Sequence, residues 1–271
     1  MTDNTPDGKN LGSDMLLLLA ALIWGLGFVA QRLGMEHMGP FTFSAARFAV
    51  GSLVLVPLAL MPAREDAESS PVVSPTGAPS MGLLSGGILA GVALFAAASL
   101  QQVGLVYTTA ARAAFITGIY VVLVPLFGLF MGVRTTRWAW AGAIIAVVGM
   151  YIMSSVNEGK TLLGDGLALV GACMWALHLL VLTRVAARNT RDSIRLALLQ
   201  FAVCAALCAA VAIVVEPISM AGMRAARLSI LYAGALSVGV AFTIQVVAMR
   251  RAHPGHAAII LSLEAVFAAI G

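Results

Sequence analysis

The sequence predicts an all-α integral membrane protein, a bundle of helices whose exterior faces lipid. Three observations carry that prediction. Apolar residues make up 61% of the 271-residue chain and charged residues only 10%, against about 45–50% and about 25% in soluble domains. The apolar residues come in runs near the 20 or so that a helix needs to cross about 30 Å of hydrocarbon at about 1.5 Å per residue. The runs lack the strict alternation of a membrane barrel, and most charged residues fall in the gaps between them.

Nine segments qualify or come close: 15–34, 41–61, 81–107, 113–133, 138–156, 166–184, 194–215, 230–249 and 256–271. The first follows the polar stretch 1–14, which lacks the basic n-region of a signal peptide and reads as an N-terminal tail. Asp14 and Asp165 suit helix N-termini, where a carboxylate complements the dipole. The third, GGILAGVALFAAAS from Gly86, is rich in the small residues that let helix backbones approach closely in lipid. The fourth carries Pro125 near its middle, which predicts a kink. The ninth has 16 residues and would rise about 24 Å, so the expectation is a chain truncated within that helix.

Among the gaps, 63–80 alone has linker character, being rich in Pro, Ser and acid. The other gaps are short, which makes consecutive helices antiparallel neighbours. Placing the N-terminus in the cytoplasm puts Lys9, Arg64, Arg134, Arg137, Arg184 and Arg188 on the positive inside face. Arg224 and Arg227 run against that bias.

The net charge of +4 does not indicate nucleic acid, because the basic residues form no stripe with interleaved aromatics. Cys173, Cys204 and Cys208 lie in apolar runs without a C-x-x-C pair or a suitably spaced His, so they read as packing residues rather than a disulfide framework or metal site. No catalytic constellation and no cofactor motif is legible.

The chain also resembles itself. Setting Gln101 on Gln245 sets Ala113-Ala114 on Ala257-Ala258 and Tyr120 on Glu264 without a gap. A second match places Trp24 on Trp175, and RFAV from Arg47 on QFAV from Gln200. Five helices precede the restart near Gly164, and an odd number predicts two halves that enter the membrane in opposite senses, with a site between them near the midplane.

Polar and aromatic residues inside the spans are the candidate site residues. Glu264 is the one acidic group deep in a span, and Arg47 is its basic counterpart in the second; ionisable groups in hydrocarbon are expensive and usually functional. A static ion pair between the halves is the structural alternative. Trp24 and Trp175 read either as cavity walls or as helix packing. Gln101, Gln245 and His178 need partners, from a ligand or from a neighbouring helix. Tyr120 enters as the counterpart of Glu264 in the repeat.

The stretches ALIWGLGFVAQRLG, GPFTFSAARFAVGSLVLVPLAL, YTTAARAAFITGIYVVLVPLFGLFMG and AAIILSLEAVFAAIG together resemble the EamA family of the drug/metabolite transporter superfamily, from Met15 onward. The resemblance implies a ten-helix inverted-repeat bundle (5+5), of which about nine helices are present. The halves are 15–156 and 164–271, the second truncated in its fourth helix. It also implies cytoplasmic termini, a central substrate cavity and a bacterial inner-membrane location. Ala265 stands where members often have proline after the glutamate. The implied activity is secondary-active transport, as an exporter of amino acids, amines, drugs or similar metabolites. Protons are a candidate coupling ion and a homodimer a candidate assembly; the alternatives are a membrane sensor or scaffold, an enzyme and a channel.

Overall fold

The computed structural model describes residues 8–61, 81–130, 132, 137–154, 162–185, 190–248 and 254–270. The linker 63–80, residues 1–7 and the gap cations Arg64, Arg134, Lys160, Arg188, Arg250 and Arg251 lie outside the described residues.

Apolar composition and internal backbone pairing give the helices that the sequence predicts. They are α1 (Gly8–Met35), α2 (Pro40–Leu60), α3 (Leu83–Val106), α4 (Ala110–Gly118), α5 (Tyr120–Phe130), α6 (Arg137–Ser154), α7 (Leu162–Leu182) and α8 (Thr190–Val215). The chain continues through the short α9 (Met220–Ala225) and α10 (Arg227–Leu231), a π-helical segment (Tyr232–Phe242), α11 (Thr243–Ala248), α12 (Pro254–Leu261) and α13 (Glu264–Ile270). Among the described residues no strand forms, only an isolated bridge between Met81 and Val185.

Among the described residues seven spans are long and apolar enough to cross a membrane, taking α4 with α5 and α10 with the π segment and α11. The other two of the nine expected segments are shorter: α6 has 18 residues, and the apolar stretch His256–Ile270 is broken. Other boundaries shift too. Helix α1 begins at Gly8, so part of the expected tail 1–14 is helical and Asp14 lies inside the helix, paired with His256 rather than capping an N-terminus.

Two spans expected to be continuous are interrupted. The fourth breaks at Ile119, between Gly118 and Tyr120, six residues before Pro125; there the amides of Ile119 and Val122 turn to carbonyls three residues back. The ninth breaks at Ser262 and Leu263, immediately before Glu264. These interruptions fall at matching places of the internal repeat, since the alignment of Tyr120 with Glu264 also aligns Ile119 with Leu263.

The exterior is apolar: Leu53, Leu60, Ile145, Val214 and Phe130 are among the large side chains most exposed, as a lipid-facing surface requires. Inside, small residues bring backbones together. A Cβ at Gly104 would stand 3.1 Å from the Gly164 carbonyl, and one at Gly234 would stand 2.9 Å from that of Arg47.

Contacts between helices fix directions. Gly87 sits against Leu199 and Gly91 against Val203, so α3 and α8 run parallel. Glu216, just past α8, accepts hydrogen bonds from the amides of Phe41 and Thr42 at 2.8 Å each, so α8 ends where α2 begins and the two are antiparallel. Since the RFAV and QFAV stretches make α2 and α8 counterparts, equivalent helices point in opposite senses. Each half also leans on the other: α1 packs on α12, α13 and the π segment, while α7 packs on α3, α4 and α5.

Candidate functional site

The two broken helices, the π segment, α1, α2, α3, α7 and α11 line a central cavity.

One wall is aromatic and centres on Phe242 of the π segment. Trp175 stacks on it at 5.6 Å and 23°, Trp24 tilts onto it at 4.6 Å, and Phe201 meets it edge-on at 5.8 Å. The two tryptophans are counterparts in the repeat, so one ring ties α1 and α7 together. Each indole is held by its polar edge: Trp24 Nε1 donates to the Ser237 carbonyl at 3.1 Å, and Trp175 Nε1 donates to Gln101 Oε1 at 2.7 Å. Rings held in this way present a fixed face to the cavity.

The remaining wall is polar. Arg47 and Glu264 are 3% and 5% exposed and both line the cavity. Among the described residues neither forms an ion pair, so the static bridge weighed from sequence is not made. The Arg47 guanidinium lies 4.8 Å from the centre of the Phe48 ring, a cation–π contact that leaves its Nε without a hydrogen-bond partner. Gln31 Oε1, Thr117 Oγ1, Tyr120 OH and Gln245 Oε1 are also buried, unpaired and on this cavity's lining. Unpaired polar groups in an apolar interior are costly. Their convergence on one space suits a polar ligand that enters and leaves.

Seven of the eight sequence candidates line this cavity: Trp24, Arg47, Gln101, Tyr120, Trp175, Gln245 and Glu264. His178 does not. It is fully buried behind Trp175, with Nε2 2.8 Å from Gln200 Oε1 and the two rings edge to face at 5.7 Å. Gln200 occupies the place of Arg47 in the repeat, so a histidine–amide pair stands where the other half carries its guanidinium.

Sequence reasoning missed Phe28, Gln31, Thr117, Leu179, Ser237 and Phe242. Gln31 and Thr117 carry the same signal as Gln101, a polar side chain in an apolar run. Phe242 and Ser237 depend on the π-helical winding, and nothing in ALSVGVAF announces it.

The model of the EamA-like transporter family matches residues 11–155 and 162–270. An uncharacterized transporter of Archaeoglobus fulgidus is 30% identical over 65% of this chain and 50% of its own length. The uncharacterized inner membrane transporter YedA of Escherichia coli K12 is 26% identical over 57% of this chain and 48% of its own. The chain therefore spans about half the length of the curated relatives it matches. A solved structure titled only as the crystal structure of a protein superimposes with a TM-score of 0.69, covering 96% of this chain and 86% of that one at 20% identity. That likeness speaks to the fold.

Proposed function

As this multi-pass membrane chain belongs to the EamA-like transporter family, we propose that it moves small organic metabolites across a bacterial inner membrane by alternating access. The N-terminus is cytoplasmic in this reading, export is the direction, and the two five-helix halves, 15–156 and 164 onward, rock about the central cavity.

The observation that supports this best is a buried carboxyl and a buried guanidinium that line one cavity and do not satisfy each other. Arg47 and Glu264 share one buried cavity, no ion pair joins them, and an aromatic wall stands beside them. A molecule with an ammonium for Glu264, a carboxylate for Arg47 and an apolar body for Trp24 and Trp175 meets all three demands. Amino acids have that chemistry, and amines have part of it. Glu264 also suits a proton exchanged against substrate, because an acid in hydrocarbon changes charge when a cation arrives or leaves.

Counterflow in proteoliposomes with radiolabelled amino acids, amines and nucleosides tests the reading. Saturable flux of an amino acid or amine, lost in Arg47→Gln and in Glu264→Gln, is the expected result. Binding by tryptophan fluorescence without flux for any of the panel would replace transport with the sensor reading.

A further inference from the structure

Two ion pairs stand at opposite ends of the bundle. At one, Arg112 in the first turn of α4 donates Nε to Asp165 Oδ1 at 2.8 Å and Nη2 to Oδ2 at 2.6 Å, joining α4 to the first turn of α7. At the other, Nε2 of His256 in the first turn of α12 lies 3.0 Å from Oδ1 of Asp14 on α1. The ends are opposite because Arg32, about 27 Å beyond Asp14 along α1, donates to the last carbonyls of α3, Leu105 and Val106, beside the turn into α4.

The repeat relates these pairs. The alignment of Gln101 with Gln245 sets Arg112 on His256, and that of Trp24 with Trp175 sets Asp14 on Asp165. One contact is thus made twice, once on each face, and each time it crosses between the halves. The two copies differ in one property. A guanidinium is always charged and grips a carboxylate with two parallel bonds, whereas an imidazole is a cation only when protonated and makes one.

We propose that Arg112–Asp165 and His256–Asp14 are the two latches of the alternating-access cycle, and that His256 makes the latch on the N-terminal face respond to the pH of that compartment. The latches belong to the cycle only if the transport reading holds; their response to pH stands on their own geometry. Separating the halves at either end must break the pair at that end. The side chains of His256 and Asp14 are 54% and 34% exposed, so the imidazole exchanges protons with the bath on its own side. Other charged residues on the elements against α12 are Lys9 and Arg32 on α1, Arg32 at the opposite end of that helix, and Arg137 on α6, all cationic side-chain types, while α5 carries no charged residue. Protonation of His256 therefore adds the attraction to Asp14, holding this face shut in acid and loosening it as pH rises. The opposite face keeps its grip throughout. Exposed pairs are weak, so the change in opening is about two- to five-fold.

Hydrogen exchange of the full chain in nanodiscs, corrected for the intrinsic rate, reads each face without any substrate. Between pH 5.5 and pH 8 the amides of 12–20 and 256–263 should lose protection about two- to five-fold, while those of 109–116 and 162–170 stay level. His256→Arg should remove the response, and Arg112→His should confer one on the opposite face. An identical pH response in wild type and His256→Arg overturns the proposal, as does a folded Arg112→His variant that exchanges like wild type at its own face. Absence of flux for every member of the transport panel defeats the transport reading instead, and leaves the exchange result to decide the latches.

Discussion

Tyr120 and Glu264 each stand first in the second segment of a broken helix, and each lines the central cavity. One half of the repeat supplies a phenol at this position and the other an acid. The same backbone device thus brings two different chemistries to one space, and the acid alone has a charge to exchange with a ligand.

Replacing Glu264 by Gln keeps size and removes charge. Flux should fall at least about tenfold, the factor for about 1.4 kcal/mol, while the melting temperature stays within about 4 °C, as a stability change below about 1 kcal/mol implies. Tyr120→Phe removes a hydroxyl that has no partner and should leave stability unchanged or slightly raised in the same thermal assay. Wild-type flux with unaltered pH dependence in Glu264→Gln would remove this acid from the mechanism.

Gly25 is where α1 meets the second broken helix. A Cβ there would stand 2.8 Å from the Glu264 carbonyl and 2.9 Å from the Ala268 amide, with no flexible side chain to yield at either. Gly25→Val should cost about 1–3 kcal/mol by overpacking, read as a lower melting temperature. Gly166, whose added Cβ meets nothing within 4 Å, is the control: Gly166→Ala should melt like wild type.

Glu216 closes the start of α2 from another helix. Its carboxylate accepts from two backbone amides and from the Thr42 hydroxyl at 2.6 Å, serving donors that a helix N-terminus otherwise leaves free. Glu216→Ala should destabilise by about 1–2 kcal/mol, the usual worth of a cap. Faster hydrogen exchange should be confined to the first turn of α2 and the end of α8. Uniform loss of protection would contradict a local role.

Trp175 and Gln101 bond to each other at 2.7 Å, so their substitutions should not add. Trp175→Phe leaves the amide without its partner, and Gln101→Leu does the same to the indole. The double variant should lose about 1 kcal/mol less than the sum of the two singles. Strict additivity would show that the bond contributes nothing to the folded state.

The N-inside orientation is checked with single cysteines in a chain lacking Cys173, Cys204 and Cys208. A membrane-impermeant maleimide added to intact cells should label His37→Cys, at the turn between α1 and α2, and spare Ser85→Cys, at the start of α3. The reverse pattern inverts the assignment of both faces.

Much of this fold was legible because lipid imposes a single rule, that apolar runs of a given length become helices. Paired residues such as Gln101 and Gln245 also exposed the repeat. What escaped was local winding. Pro125 drew attention in the fourth span, yet the break lies at Ile119, because the second helix of the pair breaks at the matching position without any proline. The π segment escaped for the same reason: periodicity reports which face is apolar, not how many residues complete a turn. Among site residues, charge inside a span pointed to the cavity for Arg47 and Glu264, whereas Gln101 and His178 carried a signal that reads equally as a bond to a neighbouring helix; Gln101 lines the cavity while bonded to Trp175, and His178 lies behind the wall. One-dimensional polarity does not separate a group facing a cavity from one satisfied by Gln200.

Since α1 packs on α12 and α13, and α7 on α3, α4 and α5, neither half encloses its own interior. During synthesis α1 leaves the ribosome long before its permanent neighbours α12 and α13, so in the interval its inner face, including Gly25 and Trp24, must rest against lipid or an insertion chaperone. Assembly is therefore closer to the meeting of two separately made subunits than to the sequential growth of one. Two fragments divided in the stretch 155–161 and expressed from separate messages should reconstitute the bundle, whereas either fragment alone should be cleared by membrane proteases.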